Sequence, residues 1–398
     1  MSLSSSSNPG AKVIGVVLMT MLTHSAYKGS KVLISLYAME FGAPAWMIGF
    51  LFTLYAVFPI LLSVVAGRFS DRVGFRYPML FGALGFLAAL IVPYVWPSLA
   101  MLFVSATLAG VCYVFYTVTV QHLVGELSDP STRTRHYGWY SLGLGMTALV
   151  GPLTTGFAID SIGHRNTYLL LTLFPLLPIA VLLFARRWFP APRAKQAKAK
   201  GQRVWDLFQN GPLTRVLITG GIIETGFELI NFYMPIYTRT QGLTASQIGM
   251  VMSSYAVAML IMRALLPVFT RHISEVRLLV LCLTATAGVA MLFPFFNGFG
   301  PLAGMAFLLG VGLGCCSPLS LILVYNLAPE KRVGEAIGVR QSFNKATETI
   351  MPMIFGLIAS LTGAGAVFWA TGALVFAGSW LVRGNRVTRG LSATKEVT

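Results

Sequence analysis

Stretches of about 18 to 25 mostly apolar residues, separated by short polar or Gly/Pro-containing breaks, recur along almost the whole chain. Each is long enough as a helix to cross the ~30 Å hydrocarbon layer of a bilayer. About twelve such runs are legible, at 12–38, 46–66, 77–95, 98–121, 138–159, 166–186, 212–238, 246–268, 277–295, 300–325, 335–360 and 364–383. The runs are continuous, whereas strands of a membrane barrel alternate over ~10 residues, so the expected fold is all-α. Composition agrees: 56% of residues are hydrophobic and 11% charged, which leaves lipid as the solvent for most of the surface.

A formal net charge of +16 raises the question of a nucleic-acid partner, but the placement of the basic residues answers against it. Twenty-two of the 29 Lys and Arg fall in alternate loops and the tails, whereas the opposite loops hold only Arg165 and Arg239. By the positive-inside rule both termini are expected in the cytoplasm. The N-terminus lacks a short apolar run with a small-residue cleavage site, so the first run is expected to stay as a span. Cys112, Cys282, Cys315 and Cys316 all lie within spans and read as small packing residues, not as a disulfide or zinc framework.

Laying residues 20–170 over 220–370 without gaps exposes an internal repeat at an offset of 200. Tyr37 falls on Tyr237, Ile48 on Ile248, Gly49 on Gly249, and Tyr55-Ala56-Val57 on Tyr255-Ala256-Val257. Gly110, Gly138, Pro152, Gly156 and Gly163 fall on Gly310, Gly338, Pro352, Gly356 and Gly363. Glycine and proline tolerate little drift where the backbone needs them, so two related six-helix halves are expected. The expected division is an N-terminal tail at 1–11, bundles at 12–187 and 212–383, a linker at 188–211, and a C-terminal tail at 384–398. The Pro-, Ala- and Lys-rich stretch Pro190–Lys200 reads as a cytoplasmic connector whose lysines can also meet anionic headgroups.

After the second run comes Gly67-Arg68-Phe69-Ser70-Asp71-Arg72-Val73-Gly74-Phe75-Arg76. It resembles the signature loop of the major facilitator superfamily, Gly-x-x-x-Asp-Arg-x-Gly followed by basic residues, with Gly67, Asp71, Arg72, Gly74 and Arg76 at the matching positions. Gly67 would let two helix ends approach closely. Asp71 can pair with a helix N-terminus or an arginine, a charge latch favouring one access state. The second half reads Pro267-Val268-Phe269-Thr270-Arg271 there and is degenerate, with Arg271 in place of the carboxylate.

In span five, Gly138, Gly151-Pro152 and Gly156 fall on the pattern of proton-coupled drug exporters of that superfamily, Gly-x8-Gly-x3-Gly-Pro-x-x-Gly-Gly. Thr147 and Thr155 replace two of its glycines. Small residues at this spacing also serve close helix packing by themselves. An arginine that the exporters carry in span four, associated with proton coupling, is absent: Ala106 stands at its place ahead of Gly110.

Ionisable residues in mid-span cost at least ~2.5 kcal/mol on insertion scales and so are candidates for function. His24, Lys28 and Lys31 recur at i, i+4 and i+7 on span one; Glu224, Glu228 and Asn231 repeat the spacing on span seven, at the same 200-residue offset. Spans 1, 4, 7 and 10 line the central cavity in the superfamily, so the resemblance implies that the basic and acidic stripes face one another there. Such stripes suit alternating salt bridges, a proton relay or a polar substrate. Span eleven adds Asn344, Lys345 and Glu348 deep inside, with Arg340 closer to the cytoplasmic end. Arg340 and Arg263 are both within snorkelling reach of the interface. Glu224, near the middle of its span, is the best candidate for a proton carrier.

These residues imply a secondary active transporter of a small organic molecule, monomeric, in a bacterial inner membrane, working by proton-coupled efflux, with lipid, substrate and protons as its partners. The excess of His24, Lys28, Lys31, Arg340 and Lys345 over Glu224, Glu228 and Glu348 keeps open transport of an organic anion in either direction. A membrane-embedded sensor or scaffold is the reading from a different class. No nucleophile–base pairing, metal-ligand cluster or phosphate-binding glycine loop is legible, so neither an enzyme, a metal site nor a cofactor is expected.

Overall fold

The computed structural model describes residues 9–128, 132–184, 189, 211–328 and 333–383, all helix or short connection, with no strand among them. Residues 1–8 of the expected tail at 1–11, the tail at 384–398 and nearly all of the connector at 188–211 lie outside the described residues, and 9–11 already belong to the first helix. Four helices open the chain: α1 (Pro9–Glu40), α2 (Ala45–Val73), α3 (Arg76–Val95) and α4 (Leu99–Glu126). The helical run Arg133–Phe184 is broken at Gly163, whose φ of 78° and ψ of 166° divide it into α5 (133–162) and α6 (164–184). α7 runs as Gly211–Glu228, continues through a π-helical stretch Leu229–Tyr233, and ends as Met234–Thr240. There follow α8 (Ala245–His272), α9 (Glu275–Leu292), α10 (Phe299–Leu327), α11 (Val333–Thr362) and α12 (Ala366–Val382).

Seven stretches of the described residues are long and apolar enough to cross a membrane; one of them, the 47-residue Gly138–Phe184, contains most of α5 and all of α6. α1, α7 and α11 are not in that set. They carry the ionisable clusters, and each charge pulls down the mean hydropathy of its helix. α12 is apolar but only 17 residues long.

The chain forms two compact units, 1–43 with 54–197 and 44–53 with 198–398. The second thus takes in the first turns of α2, whereas the sequence repeat places all of α2 in the first half. There a Cβ on Gly49 would lie 2.5 Å from the carbonyl oxygen of Pro352. Within the first unit α1 packs along the α5–α6 run and α3 on α4; within the second α8 and α9 pack on α10, and α12 on α9.

The repeat is visible in backbone detail. α1 and α7 end identically: the amides of Ala43 and Leu243 reach back to the carbonyls of Ala38 and Thr238, at 2.9 and 3.2 Å, around left-handed glycines at Gly42 (φ 75°) and Gly242 (φ 80°). Gly163 and Gly363 are left-handed too, at 78° and 92°. A side chain on Gly110 would overlap the carbonyl oxygen of Leu54, and one on Gly310 that of Tyr255, so the same close crossing of α4 on α2 and of α10 on α8 recurs.

The four cysteines are buried and unbridged, within α4, α9 and α10. Cys316 donates to the carbonyl of Gly312 in its own helix.

Gly310→Val is expected to cost about 1–3 kcal/mol through overpacking, read as a lower melting temperature of the detergent-purified protein. Gly138→Ala, where a Cβ meets nothing within 4 Å, should leave it unchanged.

Candidate functional site

In the first unit the basic stripe of α1 is built into an aromatic cluster. His24 and Lys28 are half-buried, and Lys31 is only 3% exposed. Tyr27 lies on the same stripe, three residues after His24 and four before Lys31, and stacks on Tyr113 of α4 with centroids 4.1 Å apart and planes 14° from parallel. Tyr55 of α2 meets Tyr27 edge-on at 5.5 Å, and Phe86 of α3 closes the group 5.3 Å from Tyr113.

The Lys31 ammonium lies 5.5 Å from the centre of the Tyr27 ring and 5.9 Å from that of Tyr55. Facing negative ring quadrupoles, a desolvated cation gains up to ~2 kcal/mol, part of what burial costs it. Nδ1 of His24 is hydrogen-bonded to the Tyr113 hydroxyl at 2.6 Å, and the Tyr55 hydroxyl to Ser30 Oγ at 3.2 Å. The imidazole is thereby tied to α4. The tyrosines escaped the sequence reading because it followed charge; Tyr27 was legible as the one aromatic on the stripe.

α1 comes close enough to α5 for this through small residues. A Cβ on Gly151 would lie 2.5 Å from the carbonyl of Ser25 and 3.0 Å from the Lys28 Cβ, and one on Gly29 would run into Thr155 Oγ1. Thr155, standing for an exporter-pattern glycine, thus lies in the crossing, and Pro152 and Gly156 are buried beside it. Gly138 is exposed in open space.

In the second unit the acidic stripe meets a buried cation of a different design. Glu224 is half-buried and Glu228 3% exposed. Arg340 of α11, 4% exposed, does not snorkel: its Nη2 donates to the carbonyl and hydroxyl of Ser317 at 3.1 and 3.0 Å, and its Nε to Ser320 Oγ at 3.4 Å. Glu224 acts electrostatically on this guanidinium, and Glu224, Glu228 and Arg263 all act on the buried Tyr255 hydroxyl. Gly220 faces Arg340, and a Cβ there would lie in ordinary contact, 3.7 Å from the Arg340 Cγ.

The π-helical stretch begins just after Glu228. Asn231 sits in it and donates from Nδ2 to the carbonyl of Phe227 at 2.9 Å, back along its own helix. Lys345 and Glu348 pair with each other at 2.5 Å on α11, with the lysine half exposed, and Asn344 Oδ1 is buried without a hydrogen-bond partner. The deep cation of α11 is therefore Arg340, and Lys345 is the more exposed of the two.

In the loop after α2, Gly74 has φ 81° and needs to be glycine. Arg76 donates to the carbonyls of Leu182 and Leu183, at 2.5 and 2.8 Å, and so caps the C-terminus of α6. Arg72 is exposed, and the Asp71 side chain lies outside the described atoms. A Cβ on Gly67 would meet only Val118, at an ordinary 4.0 Å. Among the described residues no group of three His, Cys, Asp or Glu is placed to hold a metal ion.

Membrane-length helices, two halves repeated in backbone detail, and ionisable residues buried on the helices least suited to lipid define a multi-pass membrane transport protein. The model of the Major Facilitator Superfamily matches residues 16–298 and 216–397, and the chain belongs to that superfamily. Multidrug resistance protein 1 of Bacillus subtilis is 22% identical over 328 residues, covering 81% of this chain and 83% of that protein. Multidrug resistance protein MdtG of Klebsiella pneumoniae is 24% identical over 337 residues, covering 82% and 80%. A crystal structure of a mutant of the peptide transporter POT superposes with a TM-score of 0.76 at 14% identity, over 97% of this chain and 94% of that one, a likeness of fold.

Arg340→Ala removes a charged donor from two serines, each such bond worth about 1.5–3 kcal/mol. The expected result is a melting temperature lowered by several degrees, which Arg340→Lys restores only in part because a lysine cannot reproduce the forked contact.

Proposed function

We propose that the protein is a secondary active transporter that moves a small organic molecule by alternating access and expels it in exchange for protons. In this reading it works as a monomer in a bacterial inner membrane, its bundles spanning 12–187 and 212–383 and both termini in the cytoplasm. The observation that carries the proposal is Glu224. This half-buried carboxylate lies on a membrane helix within electrostatic reach of the buried Arg340, so binding or losing a proton changes the charge balance around a fixed cation. Relatives named for multidrug resistance support efflux. With Ala106 at the place of the exporters' span-four arginine, proton coupling here falls to the acidic stripe of α7, with Glu228 as the second carboxylate.

A second reading is favoured by the cluster around Lys31. The tyrosine faces there are engaged by the protein's own cation, and the positive field of the stripe His24, Lys28 and Lys31 favours a carboxylate- or phosphate-bearing substrate. Such a substrate would be an organic anion moving in either direction.

Proteoliposomes with a pH gradient and a panel of amphipathic cations and organic anions test both readings. Substrate-evoked proton flux is expected for one class only, and Glu224→Gln is expected to reduce it at least about tenfold, the effect of losing a positioned proton carrier. Undiminished flux in Glu224→Gln removes that residue from the coupling.

A further inference from the structure

We propose that a groove on the first unit, between α2, α3 and α4, is a binding site for an anionic phospholipid of the surrounding bilayer. The groove encloses about 470 Å³ and is lined by Val65, Arg68, Phe69, Arg72, Phe81 and Phe115, so it is within the size range of small-molecule sites. Val65, Arg68, Phe69 and Arg72 follow one another at i, i+3, i+4 and i+7, which puts all four on one face of the last turns of α2. Phe115 of α4 is the floor; Phe69 and Phe81 stand edge-on to it, with centroids at 6.1 and 5.1 Å.

The lining divides by chemistry. Its two arginines are exposed at the end of the helix, where the chain passes from membrane to the basic loop, and none of the lining residues is acidic. Guanidinium groups offer planar, forked donors that match a phosphodiester. Away from that end the walls are apolar and open: Val65 and Phe81 are each 49% exposed, and the apolar surface continues one turn further along each helix through exposed Leu61 and Leu84. A ligand that meets both parts carries an anionic head and a hydrocarbon tail, and lipid is the solvent this surface faces. A soluble phosphate would use the arginines and leave the phenylalanines without a role.

The second half has no copy of this site. At the offset of 200, Arg68 and Arg72 fall on Val268 and His272, and Phe115 on Cys315. Arg72 belongs to the superfamily loop pattern, but Arg68 lies at one of its open positions, so the pattern alone does not specify the pair.

The test is native mass spectrometry of the full-length, delipidated protein titrated with phosphatidylglycerol or phosphatidylcholine. The wild type is expected to retain phosphatidylglycerol in preference to phosphatidylcholine. Arg68→Gln/Arg72→Gln should lower retention of the anionic lipid by about tenfold or more, two basic contacts being lost, and leave phosphatidylcholine unaffected. Arg271→Gln, in the corresponding region of the second half, should change neither. Both arginines are exposed, so the variants are expected to fold; each single variant should show an intermediate loss, which keeps the test decisive if the double variant fails. Equal retention of both lipids by the wild type, or wild-type retention of phosphatidylglycerol by the variants, overturns the proposal. So does displacement of the bound lipid by glycerol 1-phosphate at equal concentration, which would make the site a phosphate site without a role for the acyl chain. None of these readouts depends on transport.

Discussion

Hydrocarbon cannot hydrogen-bond to a peptide group, and this one constraint shapes the molecule from its helices to its crossings. Every described segment is helix or short connection, and the side-chain hydroxyls obey the same demand. Thr20 and Thr23 return their protons to the carbonyls of Val16 and Met19, as do Thr219 and Thr238 to those of Arg215 and Met234. With these hydroxyls satisfied within their own helices, and with lipid as apolar as a leucine side chain, association rests largely on close contact and dispersion. Glycines on carbonyl oxygens at Gly110, Gly151 and Gly310 supply that contact.

Against such a background, each buried charge needs its own local solvent, and the two units provide different ones. Lys31 lies against the faces of Tyr27 and Tyr55, where the attraction is diffuse. Arg340 is held by directed bonds to Ser317 and Ser320 and lies within the field of Glu224. The directed bonds pin the guanidinium in one orientation. In the second unit the carboxylates Glu224 and Glu228 and the π-helical turn Leu229–Tyr233 follow one another on one helix.

Much of this was legible in the sequence, for identifiable reasons. Span number and helical class follow from apolar run length, which lipid enforces directly. The repeat at an offset of 200 was readable through glycines, and Gly163/Gly363 show why: both are left-handed, a conformation that other residues rarely accept. Gly42/Gly242 carried the same signal unnoticed. The stripes of α1 and α7 were readable from spacing. What spacing does not give is which neighbour a side chain meets. Arg340 lay close enough to a helix end to snorkel, and the positions of Ser317 and Ser320 on α10 turn it inward. The tyrosine cluster draws on α1, α2 and α4, positions that no local periodicity connects. Thr155 is legible as a departure from a family pattern but not as the residue that Gly29 packs against.

On the proposed alternating-access reading, the basic stripe of α1 borders a cavity that is open to one side of the membrane at a time. Lys28→Cys, labelled with a membrane-impermeant thiol reagent applied to either side of sealed vesicles, tests it directly; the four native cysteines are all buried and provide a quiet background. The account predicts labelling from one side that decreases as labelling from the other rises when substrate or a proton gradient is imposed. Labelling from neither side under any condition, or from both at once in proportions that no substrate or gradient alters, would contradict it.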